Sequence, residues 1–81
     1  MAQVVHLLKA APDTLAAATM RGQVEAGDRV IVVLLEGAAA AAEGAAAAAE
    51  GAGTTVRRVP ADLDYAQLVD LVFGSDQVIA W

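Results

Sequence analysis

The sequence contains no cysteine. For these residues that excludes disulfides, thiolate metal sites and a cysteine nucleophile together. Histidine is almost as scarce. His6 stands alone, so no second imidazole can share a metal, and a zinc site built only of carboxylates would be unusual. Neither a metal nor any other cofactor is expected. Positive charge is sparse as well: five Lys and Arg stand against ten Asp and Glu, a net charge of -5, and no basic cluster exceeds Arg57-Arg58. Neutralising phosphates needs a positive patch, so direct binding of nucleic acid is not expected. No apolar run approaches the ~20 residues that cross a bilayer. The start lacks the charged region and long apolar region of a signal peptide. No membrane contact is expected, and the expected location is cytoplasmic. The glycines form neither Gly-x-Gly-x-x-Gly after a strand nor a phosphate loop with Gly-Lys-Ser/Thr. Ser75 has no base near it in the chain, which leaves a Ser-His-Asp nucleophile without support.

What is present reads as one domain over 1–81. The apolar fraction, 58%, is inflated by alanine, which buries little area. The core must come from Val, Ile, Leu and a few aromatics. A chain this small buries only about 60% of its unfolded surface, so it would gain from a partner subunit, and an oligomer is expected.

Arg29–Gly37 organises the rest. Val30 to Leu35 is six apolar residues without alternation, closed by Glu36-Gly37. Such a run reads as a strand covered on both faces. Gln3–Leu8 reads as an earlier strand, interrupted only by His6. Pro12-Asp13 marks a helix start with Asp13 as N-cap, and the helix runs to Val24 with Leu15, Ala18, Thr19 and Gly22 on one face. Glu-Gly recurs at 36–37, 43–44 and 50–51, with five alanines in each gap. The spacing of seven is two helical turns. Helix is expected over Ala38–Glu50, ended by Gly51 and Gly53; a disordered linker is the competing reading. Thr54–Val59 is a less apolar strand suited to an edge, ended by Pro60. Asp64 then caps a last helix, with Gln67 completing a capping box and Leu63 and Leu68 a staple. Tyr65, Leu68, Val69, Val72 and Phe73 are its expected apolar face, and Gly74 its C′ residue. Gln77–Trp81 is a short final strand. The order βαβαβαβ implies an α/β fold of three layers, α/β/α, around a mostly parallel four-stranded sheet.

Ligands of such folds gather at the carboxyl ends of the strands, here Lys9–Pro12, Glu36–Ala38 and Pro60–Asp62. Lys9 could meet an anion there, and Glu36-Gly37 follows the central strand where active-site residues often sit. Each also has a plain reading, as a solvated loop lysine and a strand end. His6 within a strand is ordinarily a hydrogen-bonded structural residue. Asp62 and Asp64 read as a loop aspartate and a helix cap rather than an acid/base pair. Arg57 and Arg58 point to opposite faces of their strand. Trp81, the single tryptophan, suits a core edge or a subunit interface.

Three stretches in register resemble one family. Asp64-Tyr65-Ala-Gln-Leu-Val69-Asp-Leu71 followed by Ala80-Trp81 is similar to the ending of DsrH/TusB proteins, within the wider DsrE/DsrF/DsrH-like group. Val5-His6-Leu7-Leu8 with Pro12 resembles their opening. Gly27-Asp28, an apolar strand and Glu36-Gly37-Ala38 resemble their middle. The resemblance implies a subunit of a sulfur-relay assembly, of the kind that serves tRNA 2-thiouridine formation or sulfur oxidation. It implies assembly as a homo-oligomer or with cysteine-bearing DsrE/TusD-like subunits. Two departures stand out. Without cysteine this chain carries no persulfide, so it would be a non-catalytic partner and no sulfurtransferase. Val59–Asp64 also replaces a longer piece of the family. His6, Lys9, Glu36, Gly37, Tyr65 and Trp81 are the positions set apart for a ligand or an interface. The alternative is a small ligand-binding or enzymatic α/β domain working at its strand ends.

Overall fold

A computed structural model describes residues 2–50 and 53–81. The elements alternate: β1 (Gln3–Leu8), α1 (Thr14–Glu25), β2 (Arg29–Leu34), α2 (Ala40–Glu50), β3 (Thr54–Arg58), α3 (Tyr65–Phe73) and β4 (Gln77–Ala80). The strands form one parallel sheet in the order β3-β2-β1-β4. The unalternating run therefore does lie inside the sheet, with β1 on one side and β3 on the other. Val30 to Leu34 are all buried. Covering both faces of β2 is what allows five consecutive apolar side chains.

The two faces are packed by different helices. Leu8, Val32, Leu34 and Val56 meet Ala16 and Met20 of α1 and Ala42 and Ala46 of α2. Val5, Ile31, Val33 and Val59 meet Leu63, Leu68 and Leu71 at α3. This is the three-layer α/β/α arrangement. The alanines of α2 leave space on the first face: a largely apolar groove of about 430 Å³ runs between α1 and α2, with Met20, Val24, Ala45, Ala46 and Ala49 among its walls.

Local chemistry sets the helix starts. The Asp13 carboxylate accepts from the Ala16 N–H at 2.8 Å. The Asp64 carboxylate accepts from Gln67 N–H at 2.7 Å, while the Gln67 side chain accepts from Asp64 N–H at 2.9 Å, a complete capping box. Gly37 has φ +81°, a left-handed turn that favours glycine, and it carries the chain from β2 toward α2.

Several expectations shift. The α1 helix buries Ala16 and Met20, and Leu15 is turned outward. Helix α2 begins at Ala40, not Ala38, because Glu36 and Gly37 form a turn that the Ala38 N–H closes on the Leu35 carbonyl at 3.0 Å. Helix α3 directs Leu68 and Leu71 inward, while Tyr65, Val69 and Phe73 of the expected apolar face stay exposed. Gly74 ends α3 at φ -83°, in the right-handed region, so it is the C-cap and no left-handed C′ residue. Of the glycines expected to end α2, Gly51 lies outside the described residues.

Candidate functional site

The parallel sheet sets its carboxyl ends on one edge of the molecule. The strand order reverses between β1 and β4, the point at which doubly wound folds commonly form a crevice. Lys9 and Trp81 flank it. Lys9 is exposed, and its carbonyl accepts from the Ala39 N–H at 2.9 Å. A second depression, of about 250 Å³, lies at the ends of β2 and β3. Glu36, Gly37, Glu43, Arg58 and Pro60 are among its lining residues. Arg58 is engaged there: its Nε lies 3.4 Å from Glu43, and its backbone N–H donates to Asp62 at 2.9 Å. The guanidinium itself lies between Glu43 and, more distantly, Asp62, whose Oδ2 is 3.9 Å from one of its terminal nitrogens.

His6 is fully buried. It stands on the α1/α2 side of the sheet, where Trp81 reaches it from beyond β4. The indole Nε1–H donates to His6 Nδ1 at 2.8 Å. Indole nitrogen is a donor only, so Nδ1 must be the bare nitrogen and the ring proton sits on Nε2. That proton is donated to Gln23 Oε1 at 2.6 Å. The rings of His6 and Trp81 are within 7° of parallel with centroids 6.1 Å apart. At that separation they lie edge to edge in nearly one plane, as the hydrogen bond requires, and do not stack. Burial holds the His6 pKa below the ordinary histidine value, against the opposing effect of the Gln23 bond. The result is a neutral imidazole with both nitrogens used.

Glu36 makes a second pair. Tyr65 Oη donates to its carboxylate at 2.5 Å. The hydrogen bond to Glu36 raises the Tyr65 pKa above its ordinary value, because ionisation would set two anions side by side. Both residues are exposed, at the rim of the strand-end edge.

Four of the six residues set apart in the sequence are therefore joined in two pairs, His6 with Trp81 and Glu36 with Tyr65. Lys9 and Gly37 join neither pair. Gln23 was not singled out; its place one helical turn on from Met20 gave no chemical signal of its own. Asp62 and Asp64 take the plain roles expected of them. Ser75 Oγ donates to the Leu71 carbonyl and accepts from the Gln3 side chain. Among the described residues no group of three or more His, Asp and Glu is placed to hold a metal ion, and no helix is long and apolar enough to cross a membrane.

Comparison with protein families, with curated proteins and with solved structures gives no match. The fold defines the class: a small α/β fold whose parallel sheet has the β3-β2-β1-β4 order of doubly wound sheets.

Proposed function

We propose that the chain is a non-catalytic, DsrH/TusB-like subunit of a cytoplasmic sulfur-relay assembly. The observation that carries this is the pairing of the resembling segments. The opening-strand histidine bonds the terminal Trp81, and the glutamate after β2 bonds Tyr65 at the head of α3. Side chains that hold one another in this way fasten β4 and α3 to the sheet. They are spent on structure, and the imidazole has no free nitrogen for proton transfer. With no thiol in the sequence, the sulfur would travel on a cysteine-bearing partner.

The test uses a labelled persulfide donor, with the chain alone and mixed with a cysteine-bearing DsrE-like subunit. Label is expected on the partner alone, and the two chains should elute together. Covalent label on this chain overturns the proposal, as does failure to associate with any such partner.

A second reading rests on the depression between β2 and β3, where Arg58 and Glu36 stand near apolar walls. It makes the chain a small ligand-binding domain. A small anion that raises the melting temperature of the wild type, but not of Arg58→Ala, would favour it over the first.

A further inference from the structure

The apolar surface of α3 is only half used. No residue of this helix is fully buried. Tyr65, Val69 and Phe73 are spaced four apart, so they form one stripe, and they are 56%, 50% and 85% exposed. Helix α3 packs over Val5, Ile31, Val33 and Val59 of β1, β2 and the end of β3. The face of β4 beside it has no such cover. Val78 and Ala80 pair with Val5 and Leu7, so they lie on the α3 side of the sheet, and both are exposed. In the right-handed crossover that joins parallel strands, the Tyr65–Val69–Phe73 flank is the one turned toward β4. Helix stripe and strand face together make a notch, with α3 as wall and β4 as floor.

We infer that this notch is where a second copy of the chain docks. Taking aromatic side chains at 150–250 Å² each, the exposed parts of Tyr65, Val69, Phe73 and Val78 come to roughly 400 Å². A standard interface buries about 800 Å² per partner, a little over half of it apolar. The notch supplies that apolar centre. It is also self-complementary: around a two-fold axis, the α3 wall of each copy lies against the β4 floor of the other, with Phe73 of one resting on Val78 of its mate. From Val59 to Trp81 there is no lysine or arginine, and Asp64, Asp70 and Asp76 stand around the apolar centre. Charge pairs therefore contribute nothing to this contact, and apolar burial must hold it. Such pairing names the surface for the homo-oligomer that the resemblance implies, but it rests on this geometry and not on sulfur relay, and it is tested without any partner chain.

Sedimentation equilibrium of the purified chain, from about 1 to 200 μM, is expected to show a monomer–dimer equilibrium. Phe73→Asp should weaken the dimer by at least about thirtyfold, as expected for a central aromatic anchor. Since Phe73 is exposed, its far-ultraviolet spectrum and melting profile should stay those of a folded α/β protein. Leu15→Asp is the control: Leu15 is 67% exposed on the opposite side of the sheet, and its replacement should leave the dimer intact. Raising salt from about 50 to 500 mM should tighten the dimer, by screening the aspartates. A chain that stays monomeric throughout overturns the inference and leaves the notch to a different polypeptide. So does a dimer that Leu15→Asp breaks and Phe73→Asp spares, or one that salt dissolves.

Discussion

His6 shows how a single residue acquires its meaning from places far away in the chain. Its donor, Trp81, lies 75 positions on, and its acceptor, Gln23, 17 positions on. Protonating Nδ1 would point two N–H groups at each other and place a charge in a buried site. The folded protein therefore binds this proton less readily than the unfolded chain, whose histidine titrates near 6.5. Between the folded value and 6.5 the unfolded state holds more protons, so stability rises with pH across that window. Stability is complete above 6.5 and declines as pH falls below it. Urea denaturation midpoints should be level from about pH 8 to 7 and fall by about pH 5.5, whereas His6→Gln should lose that slope. A level wild-type profile down to pH 5.5 would mean that the imidazole is not held neutral. Trp81→Phe removes the donor and leaves Nδ1 buried without a partner, which costs about 1–3 kcal/mol. The same change should raise the His6 pKa, read by proton NMR of the ring, because the position that opposed protonation is vacated. None of this pairing was legible in the sequence, where His6 read as one hydrogen-bonded residue without named partners. Bringing Trp81 to His6 takes the β1–β4 register, which no local signal carries.

At the scale of the element, α3 separates what local sequence specifies from what it does not. Its start is written within four residues, Asp64 to Gln67, and the capping box forms as read. Asp64→Ala should therefore cost about 1 kcal/mol, measured by urea denaturation. Its buried face is another matter. Apart from Gln67 and Asp70, every residue of Tyr65–Phe73 is apolar, so two adjacent stripes compete for the sheet. Spacing cannot choose between them, and the fold buries the one with Leu68 and Leu71. The α1 helix does the same: Met20 lies inward with Ala16 against the sheet, and Leu15 lies outward. Tyr65 then joins the head of α3 to the end of β2 through Glu36. As the only tyrosine, it can be followed by ultraviolet absorbance. Its ionisation should fall above 10 in the wild type and move down toward 10 in Glu36→Gln. An unmoved titration would show that the pair does not persist in solution. Tyr65 and Glu36 lie 29 positions apart, and the sequence offered the glutamate as a strand end or site residue and the tyrosine as part of an apolar helix face and of a resemblance, never the two as partners.

The whole molecule is asymmetric about its sheet. Alternation of strands and helices makes a parallel sheet legible from the sequence, because parallel neighbours need crossovers. It does not say which strands become edges. β4 is an edge although it closes the chain, since its crossover passes over β2 and β1 to the far side. On one face the sheet meets leucines of α3 and its approach. On the other it meets Ala42 and Ala46, short side chains that cannot reach across the space between α1 and α2. High helix propensity explains why an alanine-rich segment forms α2; the same alanines explain why α2 packs sparsely and leaves a groove of about 430 Å³. A small domain with so few large core residues sits close to its stability threshold. Filling the groove should raise it. Ala45 and Ala49 are half-buried in its wall and lie one helical turn apart. A leucine at either position adds apolar atoms to open space without displacing the sheet, and each is expected to add about 1 kcal/mol to unfolding free energy. Ala42, buried against the sheet and outside the groove wall, should respond in the opposite sense, because Ala42→Leu overfills its site at a cost of about 1–3 kcal/mol. The contrast is the measurement. If Ala45→Leu and Ala49→Leu lower the urea midpoint as Ala42→Leu does, the groove is closed in solution and α2 lies flat on the sheet.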